Sequence, residues 1–79
     1  MNMFNAFDLV RAELLRAMSK FGPFASAHEG QSVIAEEAHE FTLAVWFGVD
    51  ARGRPSDPHD EAIQVAAMAI RFLLDVPRK

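Results

Sequence analysis

Apolar residues recur at helical spacing in three segments of the chain, and the segments are separated by short stretches that contain Gly and Pro. The first segment predicts a helix over residues 6–21. We expect Asn5 to cap it, with Asp8 three residues on completing a pair that resembles a capping box. Gly22 and Pro23 should end this helix. Its apolar stripe is formed by Phe7, Val10, Leu14, Ala17 and Phe21.

The second segment predicts a helix that begins at Ser26 and ends at Gly48. Ser26 and Glu29 have the spacing of a capping box, in which the hydroxyl and the carboxylate each accept a backbone N–H. Gly30 lies in the first turns, where it costs about 1 kcal/mol relative to Ala. Two explanations are open: Gly30 permits close backbone approach, or the regular helix starts after it.

The third helix has the clearest start signal, since Asp57 can cap it and Pro58 suits its first position. We expect it to end just before Pro77. In its central part only Gln64 and Arg71 are polar. A helix that is apolar nearly all round is typically contacted from several sides, and two partner helices of this length would struggle to cover it.

The composition agrees with a single all-α domain over residues 1–79 that completes its core by oligomerising. Such a short chain buries only about 60% of the surface that its unfolded form exposes, yet 51% of its residues are apolar and it has no Cys to form disulfides. We therefore predict three antiparallel helices per chain, joined in a homodimer or a dimer of dimers to form cores like those of four-helix bundles.

Net charge and hydropathy exclude several classes of function. A net charge of −3 argues against nucleic-acid binding, which needs a basic face. Apolar runs are too short to span a membrane, and the start of the chain lacks the pattern of a secretory signal. A soluble cytoplasmic protein is the expectation.

Several carboxylates lie on helix faces where apolar side chains are expected. Glu37 falls within the apolar arc of the second helix, with Glu36 and Glu40 beside it, and Glu61 shares a face of the third helix with apolar residues. A buried carboxylate is paired, protonated or bound to a metal. Carboxylates on the inner faces of neighbouring helices suit a hard divalent cation. The alternative is an ordinary solvated acidic patch.

These acidic residues also carry a resemblance to a known family. Glu37 and Glu40, followed some twenty residues later by Glu61 at the start of an Ala-rich helix, resemble the MazG and dimeric-dUTPase superfamily of all-α nucleotide pyrophosphatases. The family motif is E-x-x-E on one helix and E-x-x-D on the next. Gln64 stands where the family has its Asp. The similarity covers roughly residues 20–75 and includes the stretch 27–30.

The resemblance implies hydrolysis of a nucleoside triphosphate (NTP or dNTP) to the monophosphate and pyrophosphate. It implies that Glu37, Glu40 and Glu61 bind Mg²⁺ (or Mn²⁺), which activates water for attack. Glu36 would be a further ligand or a general base. Gln64 would orient a ligand or water, and we expect it to weaken metal binding because one negative charge is lost.

Other interpretations compete with this one. The chain can instead be a non-catalytic helical oligomerisation or interaction module, including a degenerate family member that has lost full metal binding. Arg71 is a candidate phosphate ligand, but its spacing from Asp75 also fits a simple ion pair. The three His residues have no zinc-binding spacing and are expected on the surface or at caps. Arg52 and Arg54 are candidate phosphate contacts, and the alternative is that they are solvated loop arginines. Trp46 and Phe47 are candidates for base stacking, although packing in the core or at an interface is the favoured alternative.

Overall fold

The computed structural model describes residues 1–78, and in that range the chain forms three helices. They are α1 (Met3–Lys20), α2 (Ala27–Phe47) and α3 (Pro58–Asp75). The described part of the chain has no strand, only an isolated bridge between Val49 and Pro55 in the α2–α3 loop. The all-α prediction is therefore confirmed.

Two of the three predicted helix starts are confirmed. The Ser26 side chain accepts the N–H of Glu29, while Glu29 accepts the N–H of Ala25. Asp57 caps α3 through the N–H of His59, with Pro58 next to it. Gly48 ends α2 in the left-handed conformation, with φ of 68°, that favours glycine.

The predicted start of α1 is wrong by three residues. Asn2, not Asn5, is the cap, and its side chain accepts the N–H of Asn5 at 2.8 Å. Both positions carry Asn, so the preference of this residue type for caps does not choose between them. The earlier cap adds a helical turn, and Phe21 lies just beyond the last helical residue.

Helix α3 is the central helix of the chain. It packs against both α1 and α2, whereas α1 and α2 do not pack against each other. Consecutive helices run in opposite directions, so α1 and α3 run the same way. The expectation that α3 is contacted from several sides is met by its own two neighbours, but Leu73 and Leu74 near its end remain exposed.

The interior of the single chain is small. The buried apolar residues among 1–78 are Ala17, Ala44 and Ala67, and no large side chain there is fully buried. Only part of the predicted apolar stripe of α1 faces the interior. Ala17 is buried, but Phe7 and Phe21 are exposed. Small residues of α1 therefore face α3, and the aromatic ones face outward.

Close packing between α2 and α3 depends on Gly30. This glycine is buried within α2, and a Cβ placed there would lie 2.6 Å from Cδ2 of Phe72 and 3.0 Å from Cδ2 of Phe24. Of the two explanations open from the sequence, close approach is confirmed, because the helix runs through this position.

We expect Gly30→Ala to destabilise the protein. The better helix propensity of Ala contributes about 1 kcal/mol, but overpacking against two aromatic rings costs about 1–3 kcal/mol. The control is Gly22→Ala, where a Cβ meets nothing within 4 Å. Thermal or urea unfolding should show a lower midpoint for Gly30→Ala only. An equal rise in both variants would contradict the packing role of Gly30.

Candidate functional site

A cleft of about 530 Å³ lies over α3, where α1 and α2 do not touch. One wall comes from α1, the opposite wall from α2, and the floor from α3. Its lining combines an apolar part with charged side chains of both signs. The polar residues of that lining are Glu13, Arg16, Glu29, Glu36, Glu37, Gln64 and Arg71.

Glu37 is the half-buried carboxylate of this cleft. Burial raises the pKa of Glu37, and the negative charges of Glu61, Glu36, Glu40 and Glu13 raise it further. Ionised Glu37 is therefore disfavoured in the folded chain, both by lost solvation and by repulsion. A proton or a cation bound near Glu37 would relieve that cost.

The other predicted acidic residues are divided between the cleft and the loop beside it. Glu36 is exposed on the cleft wall. Glu40 accepts the N–H of Ala51 at 3.0 Å, and Glu61 accepts the hydroxyl of Ser56 at 3.0 Å. These two carboxylates thus bind the α2–α3 loop at Ala51 and Ser56, and they act on Glu37 through their charge.

The acidic side chains do not form a ready-made metal shell. Among residues 1–78, no group of three or more His, Cys, Asp or Glu side chains lies close enough together to hold a metal ion. The donor chemistry fits a hard divalent cation, since all three predicted ligands are carboxylates. Carboxylates from two helices, Glu37 and Glu61, are near enough for their charges to interact.

Arg71 is almost completely buried, with 4% of its surface exposed. Its Nε donates to the carboxylate of Asp75 at 3.0 Å, and its Nη2 donates to the carbonyl of Phe21 at 2.6 Å. The same Asp75 oxygen accepts the N–H of Phe24 at 3.0 Å, and the guanidinium lies 5.8 Å from the centre of the Phe24 ring. The ion pair anticipated from the spacing is confirmed, and it fastens the α1–α2 connection to α3.

Arg71 also lines the cleft, about two turns after Gln64 on the same helix. Gln64 is half-buried and lines the same cleft as Glu37. The two α3 residues proposed for ligand binding thus face the same space as Glu36 and Glu37. Glu40 and Glu61 are not part of the cleft lining in the described chain.

Glu13 on α1 is the cleft residue that the sequence did not reveal, whereas Arg16 beside it was an ambiguous candidate for a phosphate contact, like the loop arginines. Arg16 donates through Nε to Glu13 at 2.8 Å, and only 18% of the Glu13 side chain is exposed. The hydrogen bond from Arg16 lowers the pKa of Glu13, which is therefore ionised. The available signal was that Glu13 lies within about 40° of Ala6 and Ala17 around the helix, on its small-residue face.

The remaining sequence candidates lie at the surface. His28, His39 and His59 are exposed, as expected. Arg52 and Arg54 belong to an exposed loop in which Asp50 accepts both of their backbone N–H groups. Trp46 is 75% exposed and Phe47 is 72% exposed, so packing in the core of the chain is wrong for both.

Comparison with models of known protein families, with curated proteins and with solved structures found no match for this chain. Among the described helices, none has the length and apolar character needed to cross a membrane. The geometry of the cleft is therefore the basis for a functional proposal.

Proposed function

We propose that this chain is a metal-dependent nucleotide pyrophosphohydrolase of the MazG type, acting in the cytoplasm. The observation that carries the proposal is Glu37. Its carboxylate is half-buried on a cleft wall. Four further carboxylates, contributed by all three helices, repel its charge and help to raise its pKa. Concentrated negative charge beside a cleft large enough for a small molecule suits a substrate that arrives as a metal complex.

The residues fit the metal by donor type. We assign Glu37, Glu40 and Glu61 as the residues that hold Mg²⁺ (or Mn²⁺). When bound, the ion polarises the phosphates and lowers the pKa of water. The ionised form of Glu37, which is disfavoured in the folded chain, is the form that binds a cation.

The other polar residues of the cleft would bind and position the substrate. Glu36 is exposed on the cleft wall and would accept the proton of the attacking water. The water oxygen forms a bond to the α-phosphorus, the bond from that phosphorus to the oxygen bridging the α- and β-phosphoryl groups breaks, and pyrophosphate leaves. Gln64 would orient water or a ligand through its amide, and the guanidinium of Arg71 would contact phosphate oxygens from the cleft floor.

A neutral Gln64 in place of the family's Asp leads to a quantitative test. We expect Gln64→Asp to bind Mn²⁺ at least about tenfold more tightly than the parent, a change of about 1.4 kcal/mol. Pyrophosphate release from the common NTPs and dNTPs, measured with Mg²⁺ present, should rise in the same variant. The control is Gln31→Asp, which adds one charge to an exposed position of α2 outside the cleft lining.

Two outcomes of that assay distinguish an active enzyme from a family member that has lost its activity. If pyrophosphate release is undetectable in both the parent and Gln64→Asp, the enzyme proposal is abandoned. If release is seen only in Gln64→Asp, the natural protein keeps the fold and has lost the chemistry.

A non-catalytic interaction module is the second candidate, and two observations favour it. No close metal-binding group exists among residues 1–78. Large apolar side chains are also exposed on every helix, as Phe7, Trp46 and Leu73 illustrate. Exposed apolar surface of this extent is typical of a protein that binds another protein.

We also propose that the chain associates with itself. It exposes 5888 Å², whereas a folded monomer of 8.8 kDa is expected to expose about 4,800 Å². The surplus of about 1,100 Å² exceeds the roughly 800 Å² that each partner buries in a standard interface. Self-association would supply the core that the three buried alanines of one chain do not provide.

A further inference from the structure

Large apolar side chains of α1 form a second face, in which Phe4, Phe7 and Met18 are exposed and Leu14 is half-buried. Phe4, Phe7, Leu14 and Met18 follow one another at spacings of three, seven and four residues, with Arg11 at the intervening position. This is the a/d spacing of a heptad repeat, which is typical of a helix that packs along another helix. Phe7 is 63% exposed, and Met18 is also exposed.

Helix α3 extends this apolar face. Ile70 and Leu73 are exposed, Leu73 by 76%, although they belong to the central helix of the chain. Around α3 they lie about 120° and 180° from Gln64, which marks the cleft floor. We call the surface formed by Phe4, Phe7, Leu14, Met18, Ile70 and Leu73 the outer face.

The outer face points away from the acidic cleft. On α1, Phe7, Leu14 and Met18 lie about 100–140° from Glu13, which lines the cleft. The carboxylates that repel Glu37 act on it where it lines the cleft. Two copies of a chain with a net charge of −3 would repel each other across their clefts, whereas the outer face has only Arg11 as a charged member.

The two helices of the outer face run in the same direction, so a second pair of parallel helices can pack against them. A two-fold axis that lies in this face at right angles to the helices brings in a second pair that runs in the opposite direction. The result is a bundle of four helices with an apolar centre, which is a standard way to bury apolar helix stripes. The surplus surface of about 1,100 Å² per chain is enough for such an interface.

We propose that a second copy of this chain docks on the outer face, so that α1 and α3 of both copies form one four-helix bundle and both clefts stay open on the outside. This inference rests on the proposed self-association and is independent of the hydrolase proposal. Symmetric docking leaves Glu37 and Gln64 accessible in each copy.

Sedimentation equilibrium of the full chain tests the proposal. The wild type should sediment as a dimer of twice 8.8 kDa at micromolar concentration. Phe7→Glu and Leu73→Glu should each raise the dissociation constant at least a hundredfold, since each places a charge in the apolar centre. The matched control is Trp46→Glu, which changes an equally exposed aromatic residue at the end of α2 and should leave the dimer intact.

A second measurement guards against variants that fail to fold. The chain has no Cys, so one spin label attached at Met18→Cys reports on the outer face, while a label at Arg52→Cys reports on the α2–α3 loop. Dipolar broadening between copies should be strong at position 18 and absent at position 52. A monomeric wild type would overturn both self-association and this inference. A dimer that is disrupted by Trp46→Glu but not by Phe7→Glu, or that shows broadening only at position 52, would overturn the outer face alone.

Discussion

Asp75→Ala is expected to cost about 3–5 kcal/mol of folding free energy, because it leaves a buried guanidinium without its counter-charge. The side chains of Arg71 and Asp75 are only 5% and 11% exposed. One Asp75 oxygen accepts from both Arg71 and the N–H of Phe24, so the loss also frees the α1–α2 connection. Small domains have total stabilities of about 5–15 kcal/mol, so this change should leave the fold marginal.

A double variant distinguishes the stability that comes from the ion pair from the stability that comes from the volume its side chains fill. Arg71→Met combined with Asp75→Leu removes both charges and keeps apolar volume, and it should recover about half or more of the loss. Arg16→Met is the surface control: Arg16 is about half exposed, and breaking its pair with Glu13 should cost about 0–1 kcal/mol. Urea unfolding compares these three variants with the wild type. A loss below about 1 kcal/mol in Asp75→Ala would show that the buried pair does not hold the helices together.

Glu37→Gln should have opposite effects on stability and on metal binding. In the metal-free protein the change removes a carboxylate that is half-buried and repelled by four others, so stability near neutral pH should rise. A metal at a hundredfold excess over its Kd stabilises the native protein by about 2.7 kcal/mol. We expect that gain with Mn²⁺ or Mg²⁺ in the wild type, its loss in chelator, and its absence in Glu37→Gln. Melting curves with and without metal measure it.

The pH dependence has a definite sign. The pKa of Glu37 is raised above its ordinary value of 4.5 in the folded state, so the folded chain retains a proton that the unfolded chain has lost. Stability from this group is therefore highest below that ordinary value and declines as the pH rises through the raised pKa. Glu37→Gln should remove this decline. Changes below about 0.5 kcal/mol in both stability and metal binding would mark Glu37 as an ordinary surface residue.

The sequence predicted the helices well because their signals are local. Ser26 and Asp57 were recognised as caps from their immediate neighbours, and the Arg71–Asp75 pair follows from a spacing of four residues on one helix. The start of α1 was missed because Asn2 and Asn5 are equivalent local candidates.

Long-range relations were the part that the sequence did not reveal. Apolar periodicity shows that Phe7 belongs to a stripe, but it does not show whether the stripe faces its own chain or another, and Phe7 is exposed. Glu13 and Glu37 belong to helices that do not pack on each other, so no spacing relates them. Glu13 and Glu37 line the same cleft because α1 and α2 both pack against α3 and leave a space between them.

Helix α3 has a further consequence for biosynthesis, since it is the shared partner of two helices that have no contact with each other. During translation α1 and α2 leave the ribosome first, and isolated helices of their length are only marginally stable in water. Neither can bury its apolar face until α3 has been made. Stable packing of α1 and α2 should therefore wait for α3, and until then the nascent chain exposes its phenylalanines to chaperones.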